Sequence, residues 1–95
     1  MWDSVTYVEP SQRTVIYEGV NAAHIIATNA GPSDVDLLVW ISSTPTPKDP
    51  PNFTMRMPPG NTRSASGAMI AVSLPQGDPT PPKPRFAAVA WRIFR

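Results

Sequence analysis

Val35-Asp36-Leu37-Leu38-Val39-Trp40-Ile41-Ser42 is the stretch on which the reading of the fold turns. Successive side chains of an extended chain point to opposite sides. Val35, Leu37, Val39 and Ile41 therefore share one face, and Asp36, Leu38, Trp40 and Ser42 share the other. β-Branched, aromatic and leucine side chains dominate, as a pleated and partly buried surface favours. No helical stripe with a capping signature competes with this period.

The same alternation continues outward on both sides. Residues 4–8 (SVTYV), 13–18 (RTVIYE) and 23–29 (AHIIATN) precede it, and residues 53–57 (FTMRM), 68–74 (AMIAVSL) and 86–94 (FAAVAWRIF) follow. Turn formers separate the runs: Glu9-Pro10-Ser11-Gln12, Asn29-Ala30-Gly31-Pro32-Ser33-Asp34 and Pro58-Pro59-Gly60-Asn61. The expected fold is all-β: a single antiparallel β-sandwich of about seven strands, immunoglobulin-like or jelly-roll, spanning residues 1–95 as one domain. A flattened barrel is the main competitor. If successive strands reverse direction, the loops 19–22, 43–52 and 75–85 share one end. The loops 9–12, 30–34 and 58–67 then share the other.

Composition supports a packed chain with stiff loops. Thirteen of the 95 residues are proline, yet 41% are apolar, with three Trp, three Phe and two Tyr as large burial units. The prolines gather at 45–51, 58–59 and 75–84, between the alternating runs. Long Pro-rich loops follow, since proline presets φ and favours extended backbone. There is no cysteine, so stability rests on packing or assembly rather than disulfides. Met1-Trp2-Asp3 begins neither a basic region nor an apolar run, so no signal peptide is expected and the chain is read as made in the cytoplasm. A bulky Trp2 also suggests that Met1 is retained. No stretch reaches the roughly 18 apolar residues that a membrane helix needs.

Chemistry-bearing patterns are sparse. Net charge is +1, from eight basic and seven acidic side chains, too balanced for a nucleic-acid footprint. His24 is the one histidine, and without cysteine it cannot complete a zinc site. Asp34 and Asp36 lack calcium-loop spacing and read as solvated turn carboxylates. No serine stands in Gly-x-Ser-x-Gly, and Ser64-Ala65-Ser66-Gly67 reads as a flexible small-residue loop. No glycine loop has phosphate-binding spacing. No catalytic residue, metal or cofactor is expected, and the chain reads as a binding or building protein rather than an enzyme.

Two strands carry apolar residues on both faces. Leu38 and Trp40 lie on the second face of 35–42, and Phe86 and Phe94 on the second face of 86–94. In a two-sheet fold the outer faces are mostly polar, so something is expected to cover these residues. The cover is another copy, another protein, or a folded-back Pro-rich loop. Leu38, Trp40, Phe86, Phe94, Pro81 and Pro82 are the expected interface residues.

Asn29-Ala30-Gly31-Pro32-Ser33, then Met57-Pro58-Pro59-Gly60-Asn61-Thr62-Arg63 and Ser66-Gly67-Ala68-Met69-Ile70, resemble the turn-then-strand units of small β-sandwich accessory proteins of tailed-phage virions. These are capsid decoration and fibre-like subunits, and the likeness spans residues 25–74. The resemblance implies a homo-oligomeric virion surface protein with no cofactor. The leading expectation is a subunit that oligomerises, with a trimer as one form, and docks on a larger assembly such as a capsid. A carbohydrate- or receptor-binding module is the alternative, with Trp2 or Trp40 stacking on a sugar beside the Pro-rich loops. A regulatory β-domain or enzyme subunit is the third reading, with no residue that argues for it.

Overall fold

The computed structural model describes residues 2–9, 13–41, 50–75 and 86–94. Six strands form one antiparallel sheet: β1 (Ser4–Val8), β2 (Arg13–Pro32), β3 (Val35–Trp40), β4 (Phe53–Met57), β5 (Thr62–Ser73) and β6 (Ala87–Phe94). Their order across the sheet is β1-β6-β2-β5-β3-β4. Among the described residues there is no helix, and so none long and apolar enough to cross a membrane.

The expected runs 4–8 and 53–57 are strands as read, while 35–42 ends at Trp40 and 86–94 begins at Ala87. Two expectations need correction. The runs 13–18 and 23–29 are parts of one strand, β2. Glu18 pairs with Met69 and Ala23 with Gly67, so residues 19–22 face Ala68 alone. They form a register break between the two halves of β2, and the strand bends sharply, since 20 extended residues would span about 65 Å and the longest extent of the molecule is 41 Å. Tyr17 bridges the break, its hydroxyl donating to the Asn21 carbonyl at 2.7 Å. Hydrogen bonds between Asn29 and Gly60-Asn61 bring the 30–34 and 58–61 segments together, as the expected grouping of loops placed them. Residues 42–49 and 76–85 of the Pro-rich loops, with Pro81 and Pro82, lie outside the described residues.

The second correction concerns β5, which begins at Thr62 and not at Ala68. Residues 62–67 pair with Ala23–Thr28 of β2, and residues 69–73 pair with both β2 and β3. Ser64-Ala65-Ser66-Gly67 is therefore strand and not flexible loop.

All six strands feed one apolar cluster. Val8, Ile25, Leu37, Met57, Ile70 and Val89 come one from each strand, and each is fully buried. Burying such side chains stabilises by about 1.5–3 kcal/mol apiece. β1 and β4 stand at opposite edges of the sheet, yet Val8 and Met57 join the same cluster.

The other face of β3 holds a second cluster: Leu38, Trp40, Met69 and Ala71, with Val15 against them. Leu38 is 4% exposed and Trp40 1%. The Arg13 guanidinium lies 5.9 Å from the centroid of the Trp40 ring. The expectation that Leu38 and Trp40 wait for a partner is thus corrected. They are already buried in the single chain and have no free area to offer an interface.

Asn29 ties the end of β2 to the 58–61 turn, and the expected turn at 29–34 is strand as far as Pro32. Its side-chain amide donates to the carbonyls of Ser33 and Met57, each at 2.8 Å, and its Oδ1 accepts from the Gly31 N–H at 2.8 Å. Its backbone N–H donates to the Asn61 carbonyl, and its carbonyl accepts from the Gly60 N–H. The adjoining Gly31–Pro32 bond is cis. The segments around Asn29 and around Pro58-Pro59-Gly60-Asn61, read in the sequence as separate turns, are one hydrogen-bonded unit.

Within the 58–61 turn, the Asn61 N–H donates to the Pro58 carbonyl at 3.0 Å, and Gly60 has φ 87°. Pro at the first central position and a positive φ at the second make this a type II turn. A Cβ at Gly60 would meet nothing within 4 Å, so strain at φ is the whole cost of a side chain there. Gly60→Ala is expected to destabilise by about 1 kcal/mol, read as a lower denaturation midpoint with an unchanged slope.

Candidate functional site

The face of β6 turned away from the core positions the candidate site. Ala87 and Val89 point into the main cluster and are fully buried, and Trp91 and Ile93 pack against it. The intervening Ala88, Ala90, Arg92 and Phe94 therefore project to the other side. Strand register sets their neighbours. Tyr7 lies beside Ala88 and Val5 beside Ala90, while Ile26 pairs with Arg92 and His24 with Phe94. On β1 the inward side chains are Val8, which is buried, and Thr6, whose hydroxyl accepts from the Trp91 indole N–H at 2.9 Å. Val5 and Tyr7 are left outward.

The result is an apolar surface that the chain does not cover. Trp2 is 44% exposed, Val5 51%, Tyr7 71% and Phe94 39%. At one end, Trp2, Ile26, Arg92 and Phe94 line an open concavity of about 180 Å³. The Arg92 guanidinium sits 5.0 Å from the Phe94 ring centroid, within cation–π range. The His24 and Phe94 rings lie 6.3 Å apart, tilted by 46°. The Asp3 carboxylate accepts from the Ile93 N–H at 2.9 Å, which ties the start of β1 to β6.

His24 Nδ1 is 2.8 Å from Ser66 Oγ. That separation suits transfer of a hydroxyl proton, but an activated nucleophile also needs a third group to orient its base. The ring neighbour of His24 is Phe94, and no carboxylate bonds to His24 among the described residues. Asp36 is engaged elsewhere: Arg56 Nε lies 2.6 Å from its Oδ1. The hydrogen bond from Asp36, then its charge, raises the Arg56 pKa above its ordinary value. Among the described residues no three His, Cys, Asp or Glu side chains group as metal ligands.

The expected interface residues separate. Phe94 lies in the exposed face, and Phe86 is 47% exposed just before β6, its carbonyl accepting from the Ser33 N–H. Leu38 and Trp40 are buried on β3, and Pro81 and Pro82 lie outside the described residues. Val5, Tyr7 and Ile26 were not expected at the site. Alternation does put Arg92 and Phe94 on one side of β6, but only the order β1-β6-β2 brings Val5, Tyr7 and Ile26 alongside them. Comparison with known proteins finds no matching family model, no matching curated protein and no matching solved structure.

Proposed function

We propose that this chain is a non-enzymatic assembly subunit of a virion surface, which self-associates and docks on a larger particle through the face around Trp2 and Phe94. One observation carries the reading: Trp2, Val5, Tyr7 and Phe94 gather on one sheet face at 39–71% exposure instead of being scattered singly. Exposed apolar side chains grouped on one face mark interaction sites in folded proteins. Covering it contributes about 25 cal/mol per Å² of apolar area. The reading takes the sheet as folded into a closed two-layer sandwich. The shared cluster fed by Val8 at one edge and Met57 at the other supports that arrangement.

Light scattering of the purified chain over a wide concentration range tests self-association. A closed oligomer is the expected result, and a monomer throughout overturns the reading. The face itself is tested by the Trp2→Ser/Phe94→Ser double variant. More than half of each residue is already buried in the single chain, so the variant is expected to melt about 10 °C lower while staying folded at room temperature. A variant with no folded protein at room temperature would make them core residues and remove the docking face.

A carbohydrate- or receptor-binding module is the second reading, favoured by the exposed Trp2 ring at the edge of the concavity with Arg92. Saccharide titration followed by tryptophan fluorescence discriminates the two. A saturating change that Trp2→Leu abolishes supports this reading, and a flat response removes it.

A further inference from the structure

Among the described residues, β1, β4, residues 13–18 of β2 and residues 62–67 of β5 are paired on one side only. β1 pairs only with β6, so its far side is unpaired among the described residues. β5 is paired on both sides only over 69–73; its residues 62–67 pair with β2 alone. Beside that open length runs a groove of about 440 Å³, with Val39, Met55 and Ala65 in its wall and Phe53 at its lip, 57% exposed. Open strand edges invite pairing, and proteins usually blunt them with lysine, proline or bulges. β1 (SVTYV) carries no charge, proline or bulge, and Thr62-Arg63-Ser64-Ala65-Ser66 carries the single charge of Arg63.

Resting on the self-association in the preceding reading, we propose that copies join side by side, the open edge of β1 in one pairing with residues 62–66 of β5 in the next. Three features on this chain match the two edges. First, each adjacent pair from β1 through β6 and β2 to β5 is antiparallel, so β1 and β5 run in opposite directions. A neighbour in the same orientation therefore continues the alternation of the sheet. Second, Asp3 to Glu9 carries two acids and no base, whereas Asn61 to Gly67 carries one base, Arg63, and no acid. Third, the faces agree: Thr6 and Val8 point inward on β1 as Ala65 does on β5, leaving Val5 and Tyr7 to meet Ser64 and Ser66 on the outside. The contact joins unlike surfaces, so repetition closes a ring or extends a filament.

The test uses sedimentation of the full chain. Tyr7→Lys places a charge on the edge without touching the core and is expected to weaken association about tenfold with an unchanged melt. Adding Ser64→Glu, whose side chain faces position 7 of the neighbour, is expected to restore it. Amide exchange at residues 62–66 is expected to slow as the oligomer forms. An oligomer that tolerates Tyr7→Lys and leaves those amides unprotected overturns the edge pairing and leaves the assembly reading standing. Loss on Tyr7→Lys without restoration by Ser64→Glu also overturns the β1–β5 contact. A wild-type chain that stays monomeric overturns both.

Discussion

Asn29→Ala is expected to cost about 3 kcal/mol of folding stability. The residue is fully buried and is the one buried polar side chain among the described residues. Both amide hydrogens and the amide oxygen are used: two carbonyls accept and one N–H donates, all at 2.8 Å. Truncation leaves the Ser33 and Met57 carbonyls and the Gly31 N–H without these partners. An unmet buried group costs its full desolvation, which exceeds the net worth of the bond it lost. For a chain of this size the loss corresponds to a fall of about 15 °C in melting temperature. Asn29→Asp separates the hydrogen bonds from the shape. Its carboxylate still accepts from Gly31 but faces two carbonyls with no donor. The protonated form can donate one bond, so the folded-state pKa rises above the unfolded one. Stability is then greatest below the ordinary carboxylate range and declines as pH rises through the raised pKa. A melting temperature that is flat with pH, or a loss below about 1 kcal/mol on Asn29→Ala, would show that the pin does not hold β2 to the 58–61 turn.

Gly67→Ala is expected to cost about 2–3 kcal/mol, although alanine is ordinarily the milder residue in a strand. Gly67 is the point at which β5 leaves β3 and continues with β2 alone. A Cβ there would lie 2.7 Å from Val39 Cγ1 and 2.8 Å from the Trp40 carbonyl oxygen. A side chain can rotate away, but a carbonyl at the end of a paired strand moves only with its strand. Adding Val39→Ala removes the first clash and not the second. The double variant should therefore recover none of the stability, or only a part, because Val39→Ala also empties volume in the main cluster. Denaturant midpoints of the two single variants and the double variant decide this. Full recovery would place the strain on the Val39 side chain alone.

Part of the candidate site was legible. Phe94 stands on the second face of the last strand, and alternation alone exposes it there together with Arg92. The same reasoning misplaced Leu38 and Trp40, because alternation states which face a side chain takes and not whether that face is covered. Met69 and Ala71 of β5, far along the chain, form one buried cluster with them, and Val15 packs against it. Trp2, Val5, Tyr7 and Ile26 carry no local sign of belonging together; the order of β1, β6 and β2 assembles them.

By itself, the sequence determined the all-β class, the absence of helix among the described residues and the positions of β1, β3, β4 and β6 to within two residues, since period-two alternation and turn chemistry are local properties. Only the tertiary structure decided that β2 continues past Gly19 and that β5 starts at Thr62. Ser64-Ala65-Ser66-Gly67 has no strand preference of its own. It becomes a strand because Ala23–Ile26 supply its hydrogen bonds, through a pairing about forty residues distant in sequence. Strand pairing is a long-range interaction, and burial depends on which distant strands meet, so neither can be read from a local window.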